Sequence, residues 1–587
     1  MNDAMARNVG GLPGRIAIAL VQGGALWWLY RAADLQVWPG TDRGWLVGLV
    51  TPAILVPLAH YLTTDLAPDR RRFWILPLLA LVLFGFGWHH GDWTTNEPNG
   101  DFFSFAVAVV VLVFHALPFI QVWLAERRWR PRYEELFHFA WRNTLLVAFG
   151  GLFGGVFWLL LWLWGALFQM LGVEFFRDLF SEAYFAMPAT TVAVGIGMQL
   201  AGSVERLQNV LRNTLLTMLK WLAPLAIFIL AIFTLALVVK SPALLLEQRR
   251  TISAAWLLWL VALTVALLNT AYQDGRTETP YPTWLGRAIR YCVPLLLPVA
   301  MLGGYALAVR VDAYGLTVAR GWGSLVAIIA LAYAVGYAWA ALRKGSWMAG
   351  MGAVNVGVAL MTVALLTLML SPLLSPERLA ANSQYAFALE RRVADSFRYL
   401  RFDSGEYGRA RLRQLAALED HPEAAAIRIA AQTELEREHP WGGRRPEIAL
   451  TASDFQVPAG QSIESGLLDA LNAARGDLHL QDCLPTDPCP LLLADLDRDG
   501  EAEALVFGSY LTGALRRQDG RWATAKPLLY LGGSASTNDR KQLREALKQG
   551  NYRVRDLDWQ VVEIRGELYV FDDTPEDGGT TVAPPDE

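Results

Sequence analysis

Two patterns of apolar and polar positions divide the chain. From residue 12 to residue 371, long apolar runs follow one another with short polar breaks, whereas after Pro376 charged and apolar residues alternate at helix or strand spacing. A helix needs about 20 apolar residues to cross a bilayer. Asn143 to Leu171, NTLLVAFGGLFGGVFWLLLWLWGALFQML, exceeds this without a single charge and follows Arg128, Arg130, Arg132 and Arg142. Eleven such runs can be marked, at 12–30, 44–62, 72–88, 102–124, 143–171, 186–202, 221–239, 251–272, 291–309, 321–341 and 349–370. The run at 186–202, 17 residues, lies at the lower limit for spanning. The first run ends in WWLY with no small-residue cleavage site, so it reads as a retained anchor and not a signal peptide. The expected fold is a membrane all-α polytopic bundle over 1–371.

Beyond the bundle the period changes. Pro372 and Pro376 break the last run, and Tyr385, Leu389, Val393 and Phe397 then recur every four residues, the spacing of an amphipathic helix. Further helices are expected over Tyr407–Leu418 and Pro422–Arg437, which makes 372–440 a helical neck. From 441 to 571 a small α+β domain with an antiparallel sheet is expected. Gly520 after Asp519, and Arg565-Gly566, mark hairpins between strand-like segments. A helix is expected from Asn538 to Gln549, with Gly550 beyond its end. The tail, 572–587, is acidic and rich in Pro and Gly, a composition that favours disorder.

Composition agrees with a membrane protein: 54% of the residues are hydrophobic and only 18% charged. The net charge of −4 gives no reason to expect nucleic acid as a partner. Lysine and arginine in short loops favour the cytoplasm. With the N-terminus inside, the inner segments carry 18 such residues and the outer loops 8, counting Lys240, Arg249 and Arg250 against the assignment. An odd number of spans then places everything after Ser371 outside the cytoplasm.

Charges buried in lipid cost at least about 2.5 kcal/mol and mark function when present. Here no Asp, Glu or Lys lies deep in a span, and His115 is the one titratable residue near the middle of one. Gln22, Gln199, Asn269 and Asn355 complete the intramembrane polar set, and hydrogen bonding between helices is their ordinary role. A coupled transporter would be expected to carry a midplane carboxylate or broken helices. Gly150, Gly151, Gly154 and Gly155 form two interleaved pairs four residues apart, a signal for close helix packing. Residues 172–188 place Val173, Phe176, Phe180 and Tyr184 on one helical face, which suits either the bilayer interface or a connector lying on the bundle.

Three features suggest chemistry. The loop HHGDWTTNEPNGD, 89–101, gathers His89, His90, Asp92, Glu97 and Asp101 without a basic residue; it suits a transition metal or, more simply, a solvated acidic loop. The segment LLLADLDRDGEAEALVF, 491–507, fits D-x-D-x-D-G. Its twelfth loop position is Val506 and its flanks are strand-like, so it is not an EF-hand. It is similar to the acidic loop between strands of integrin-type propeller repeats, although only one copy is present. Asp495, Asp497, Asp499 and Glu503, with the carbonyl of Glu501, would bind Ca²⁺; an acidic turn without metal is the alternative. Cys483 and Cys489 would form a disulfide in an oxidising compartment, while Cys292 reads as inert packing.

Several stretches resemble a bacterial membrane family catalogued as domain of unknown function 4153. They are LFQMLGVEFFRDLF (167–180), KWLAPLAIFILAIFTLAL (220–237), YPTWLGRAIRYCVPLLLPVAMLGGYAL (281–307), YGLTVARGWG (314–323) and FDSGEYGRARL (402–412). The resemblance implies a polytopic bacterial inner-membrane protein and supplies no activity and no catalytic residue.

The combined expectation is a non-enzymatic sensing or scaffolding protein of the inner membrane. Its N-terminus would be cytoplasmic and its C-terminal domain periplasmic, with the bilayer, Ca²⁺ and an envelope protein as partners. A transporter or lipid-handling permease is the alternative, marked by a polar-lined cavity near His115, Gln199 and Asn355. An enzyme would rest on His89, His90 and Asp92 alone, since no nucleophile with a base, phosphate loop or haem or flavin motif is present.

Overall fold

The computed structural model describes residues 12–64, 72–94, 102–239, 253–276, 280–391, 394–437, 450–458 and, within 461–570, the elements named below. Glu97, Asp101, Lys240, Arg249, Arg250, Val393, Asp497, Asp519, the Arg565-Gly566 turn, 538–544 and the tail lie outside them. Among the described residues, eleven helices are long and apolar enough to cross a membrane. They are Leu12–Asp34, Arg43–Thr63, Phe73–Trp93, Phe102–Glu126, Tyr133–Met170, Ala183–Gly202, Gln208–Val239, Ala254–Tyr272, Thr283–Tyr314, Val318–Leu342 and Met351–Leu370. Each contains or overlaps one of the eleven runs marked in the sequence.

Their lengths differ from the apolar runs where amphipathic segments join them. The fifth helix begins at Tyr133, ten residues before its charge-free run, and reaches 38 residues. The seventh and ninth spans are each led in by an amphipathic helix, Glu205–Lys220 and Thr283–Cys292. In the ninth, Pro294 sits within a 3₁₀ turn, Val293–Leu295, between the two helical parts. The sixth helix, Ala183–Gly202, starts three residues earlier than its apolar run and covers 20 residues.

Contacts between helix ends sort them into two faces. On one, which we call the N-side, Gln121 Nε2 donates to the Leu62 carbonyl (2.9 Å) and exchanges amide bonds with Asn143 (2.9 and 2.8 Å). There too Arg276 pairs with Glu134, Tyr281 OH donates to the Lys220 carbonyl, and Arg290 Nε donates to the Ala341 carbonyl. On the other, His89 meets Leu370 and the start of the tenth span meets the neck. The spans therefore alternate in direction, and the start of the first and the end of the last lie on opposite faces.

Inside the bundle, one apolar core joins the seventh to eleventh spans through Leu230, Val261, Leu268, Leu296, Ala334 and Met351. A second, with Leu55, Leu83, Leu112, Leu325 and Leu366, ties the second, third and fourth spans to the tenth and eleventh. Small residues set the closest approaches. A Cβ on Gly150 would lie 2.6 Å from Met198 Cγ, and one on Gly154 3.1 Å from Val194 Cγ2; Gly151 and Gly155 face no atom within 4 Å. One of the two interleaved glycine pairs thus makes the contact. The first span is part of the same packing: a Cβ on Gly23 would meet Pro188 Cα at 2.3 Å, and Thr191 Oγ1 donates to the Ala19 carbonyl. Outward, Leu159, Leu160 and Trp162 are each more than half exposed. So broad an apolar surface is what a bilayer covers.

The short helix Phe175–Ser181 folds back on the fifth span, with Phe176 against Trp164 and Phe168 at ring distances of 5.0 and 4.7 Å. It is a connector lying on the bundle, while Phe175 and Tyr184 stay exposed.

The neck has four helices: α1 (Pro376–Arg391), α2 (Ala394–Phe402), α3 (Gly405–Ala416) and α4 (Ala424–Glu436). Phe397, Leu400, Leu412, Leu415, Ile427 and Ala431 form its core. By compactness the chain divides into two units, Met1–Pro440 and Trp441–Glu587, so the neck belongs with the membrane helices.

The second unit contains two sheets. In the first, β1 (Phe455–Gln456), β2 (Cys489–Ala494), β3 (Glu503–Phe507), β4 (Thr512–Gln518) and β5 (Arg521–Ala525) lie in that order. The pairs are antiparallel apart from β1–β2, which is parallel. Helix α5 (Ser465–Ala473) places Leu467 and Leu471, four residues apart, in a core with Leu491, Val506 and Leu515. The second sheet orders β6 (Leu529–Leu531), β9 (Glu567–Val570), β8 (Gln560–Ile564) and β7 (Tyr552–Asp556). Both expected hairpins form: Gln518 pairs with Arg521 beside Gly520 at φ +75°, and Ile564 pairs with Glu567. Of the helix expected over 538–549, residues 545–548 are helical.

Candidate functional site

The most elaborate polar arrangement lies where the neck meets the bundle, around the break between the ninth and tenth spans. Tyr314, Gly315, Leu316 and Thr317 turn the chain, and Gly315 takes φ +74°, a conformation costly for residues with a Cβ. A helix end leaves main-chain groups without intrahelical partners, and here the neck supplies them. Gln384 Nε2 on α1 donates to the carbonyls of Tyr314 (3.1 Å) and Leu316 (3.0 Å). The Leu316 amide donates to Ser383 Oγ at 2.8 Å, and the Val318 amide to Tyr399 OH on α2 at 2.7 Å. Ser396 Oγ holds Gln384 by donating to its Oε1 at 2.8 Å. From within the bundle, Arg320 Nη1 donates to the Gly315 carbonyl. Burial pushes the Tyr399 hydroxyl well above its ordinary pKa, so it stays protonated at neutral pH.

A second bond joins α3 to the end of the third span. His89 is buried; its Nδ1 faces the Leu370 carbonyl at 3.2 Å and its Nε2 faces Tyr407 OH at 3.0 Å. A carbonyl only accepts, so Nδ1 carries the proton and the Tyr407 hydroxyl donates to Nε2. Trp93 lies 5.2 Å from the Tyr407 ring. The neighbouring His90 is also buried, stacked on Phe105 at 4.1 Å and 6°, whereas Asp92 is exposed. A recess with room for about one water, bordered by His89, His90, Trp322 and Glu377, lies between them. The three loop residues thus do different things: His89 bonds on both sides, His90 packs, and Asp92 faces out. Among the described residues no three His, Cys, Asp or Glu side chains come together to hold a metal ion.

The intramembrane polar residues also separate. Asn355 accepts from Tyr337 OH and donates to Asn269 Oδ1, both at 2.7 Å, joining the eighth, tenth and eleventh spans. His115 Nδ1 bonds the Val111 carbonyl of its own helix at 2.8 Å. His115 and Asn269 border a groove of about 530 Å³ with Phe114, Thr144, Val326 and Tyr333; its walls are mostly apolar, and Asn355 and Gln199 do not line it. The Gln121–Asn143 amide pair was not singled out in the sequence, because both residues sit at the polar margins of apolar runs.

In the second unit the acidic loop joins β2 to β3, closing on the pair Ala494–Glu503. Three of its carboxylates bond the loop's own main chain. Asp495 Oδ2 accepts from the Gly500 amide at 3.1 Å, Asp499 Oδ1 from the Glu501 amide at 2.7 Å, and buried Glu503 from the Leu496 amide at 2.7 Å. Gly500 takes φ +89°, the tight turn its position predicted. Cys483 and Cys489 are joined by a disulfide with Cα atoms 5.1 Å apart, both buried in the unit's core.

The profile of a family described as Domain of unknown function (DUF4153) matches residues 24–404, more than half of the chain. The chain belongs to this family. The matched region holds the membrane helices from the first span onward and the neck through α2, including the Gly315 turn with Gln384 and Tyr399. Tyr407 and the second unit lie beyond it. No curated protein and no solved structure matches the chain.

Proposed function

We propose that this member of the DUF4153 family is a non-enzymatic scaffold of the bacterial inner membrane, whose bundle anchors a neck and, through it, a periplasmic C-terminal unit that meets an envelope protein. One observation carries the reading: Ser383, Gln384 and Tyr399 complete main-chain hydrogen bonds of the membrane helices. A neck made this way is a fixed fitting rather than a tether. The orientation rests on the 18 Lys and Arg of the N-side segments against 8 on the other, and a Cys483–Cys489 bond suits an oxidising compartment. A periplasm-active phosphatase fused after Glu587 is expected to be active, and a cytoplasm-active fluorescent reporter at the same place dark. The reverse result would move the C-terminal unit to the cytoplasm and leave a cytoplasmic regulatory domain.

The proposal includes Ca²⁺ on the loop of Asp495, Asp497, Asp499 and Glu503, with the Glu501 carbonyl. An ion there would compete with the amide bonds that Asp495 and Asp499 accept, so modest affinity is expected. Calorimetric titration of the full chain would show heat at millimolar Ca²⁺ that vanishes in Asp495→Asn; no heat in the native chain would set the ion aside.

A lipid-handling permease is the second reading: the groove beside His115 lacks the polar lining expected of a solute pathway, but its apolar walls suit a lipid chain. Movement of labelled phospholipid between leaflets of proteoliposomes, abolished by His115→Phe, would establish it.

A further inference from the structure

On the N-side face, the helix Thr283–Cys292 and the loop after the tenth span enclose a recess of about 410 Å³, bordered by Tyr281, Gly286, Arg287, Arg290, Ser346 and Trp347. The recess is held together by its own bonds. Trp347 Nε1 donates to the Gly286 carbonyl at 3.2 Å, and Tyr281 OH ties in the turn that carries Lys220. Arg290 Nε donates to the Ala341 carbonyl at 2.6 Å and its Nη2 to the Arg343 carbonyl, which fixes the loop bearing Arg343 and Lys344. A guanidinium has five N–H groups, so among the described residues three remain on Arg290.

Charge here is not neutralised by the described carboxylates of the face. Glu134 and Asp274 pair with Arg276, and Glu126 and Glu135 with Arg128. Arg287 is exposed and, among the described residues, forms no ion pair. Around the recess, Trp284, Tyr291 and Leu342 are 71%, 78% and 74% exposed. Aromatic and apolar side chains beside cations at a helix end are the arrangement that sits at headgroup level. A second basic amphipathic helix, Glu205–Lys220, leads into the seventh span on the same face.

We infer that this recess binds the phosphate of an anionic membrane phospholipid, with Arg287 and Arg290 on the phosphate and acyl chains along Trp284, Tyr291 and Leu342. The chemistry is phosphate recognition by a guanidinium pair. The membrane supplies the ligand, because the exposed apolar rim would have no partner in a soluble phosphate. The site does not depend on which compartment the face meets.

The test is native mass spectrometry of the full chain in neutral detergent with equal phosphatidylglycerol and phosphatidylcholine. Preferential retention of phosphatidylglycerol is expected, with Arg287→Gln lowering it about fivefold and leaving phosphatidylcholine unchanged. Arg287→Lys should retain part of it, and Arg310→Gln on the opposite face all of it. Equal phosphatidylglycerol retention by the native chain and Arg287→Gln, with both folded by melting temperature, would overturn the proposal. Stabilisation by glycerol 3-phosphate without lipid, lost in Arg287→Gln, would overturn the lipid assignment in favour of a free phosphate.

Discussion

The two faces of the bundle are closed with different chemistry. On the neck face, neutral groups from α1, α2 and α3 bond to main-chain atoms and a buried histidine, and the partners lie 67 to 318 residues apart in sequence. On the N-side, beside the buried Gln121–Asn143 amide pair, arginines join helix ends through carboxylates such as the exposed Glu134 and through carbonyls such as that of Ala341. A buried polar group left without its partner costs more than an exposed ion pair is worth. The neck face is therefore a structural seat, and the N-side carries in addition a charged rim whose exposed ion pairs water and lipid can replace.

Substitutions can break this contrast. The largest effect is expected for Gly315→Ala: its Cβ would lie 2.6 Å from Gln384 Nε2 in a backbone at φ +74°. A loss of about 2–4 kcal/mol should release the neck, read as a lower melting temperature and faster proteolysis within α1 and α2. Gln384→Ala, which strips the Leu316 carbonyl and Ser396 of their partner and leaves the Tyr314 carbonyl with Arg320 alone, should cost about 2 kcal/mol in the same assay. Tyr399→Phe and Tyr407→Phe should each cost about 1 kcal/mol, and near-additivity between them would show that the two attachments act independently. If these variants melt like the native chain, the seat is not structural.

The N-side should behave otherwise. Glu134→Gln removes an exposed pair with Arg276 and is expected to leave the melting temperature unchanged. The smallest effect sharpens the contrast from the neck itself. Although partial burial opposes its charge, the Arg409 and Arg413 guanidiniums hold the Glu406 carboxyl below its ordinary pKa. A depressed folded pKa contributes stability above the unfolded value and loses it as pH falls through the folded one. Acidification below about pH 4 should therefore remove under about 1 kcal/mol, and Glu406→Gln should remove that pH dependence.

Much of the architecture was legible without coordinates. Each membrane helix announced itself through composition, and Gly520 with its flanking strands announced a hairpin, because both signals are local. The helix ends were less legible, since amphipathic segments such as Thr283–Cys292 continue a span without resembling one. His89, His90 and Asp92 appeared as one cluster because they are adjacent in sequence; adjacency says nothing about direction, and two turn inward to different partners while the third faces out. Gln384, Ser383 and Tyr399 carried no signal at all. They are ordinary polar residues on an amphipathic helix until the turn they cap is placed beside them.

By itself the sequence determined the number of spans, the break after Ser371, the neck helices and the strand-like flanks of the acidic loop. The apolar content and the period of each element are set by residues a few positions apart. Only the tertiary structure decided that Gly150 and Gly154 make the close contact while Gly151 and Gly155 do not. It also decided that Asn355 bonds Asn269 instead of lining a channel, and that Tyr407 finds His89. Such pairings are chosen by how helices rotate and cross, and a one-dimensional pattern leaves that rotation open.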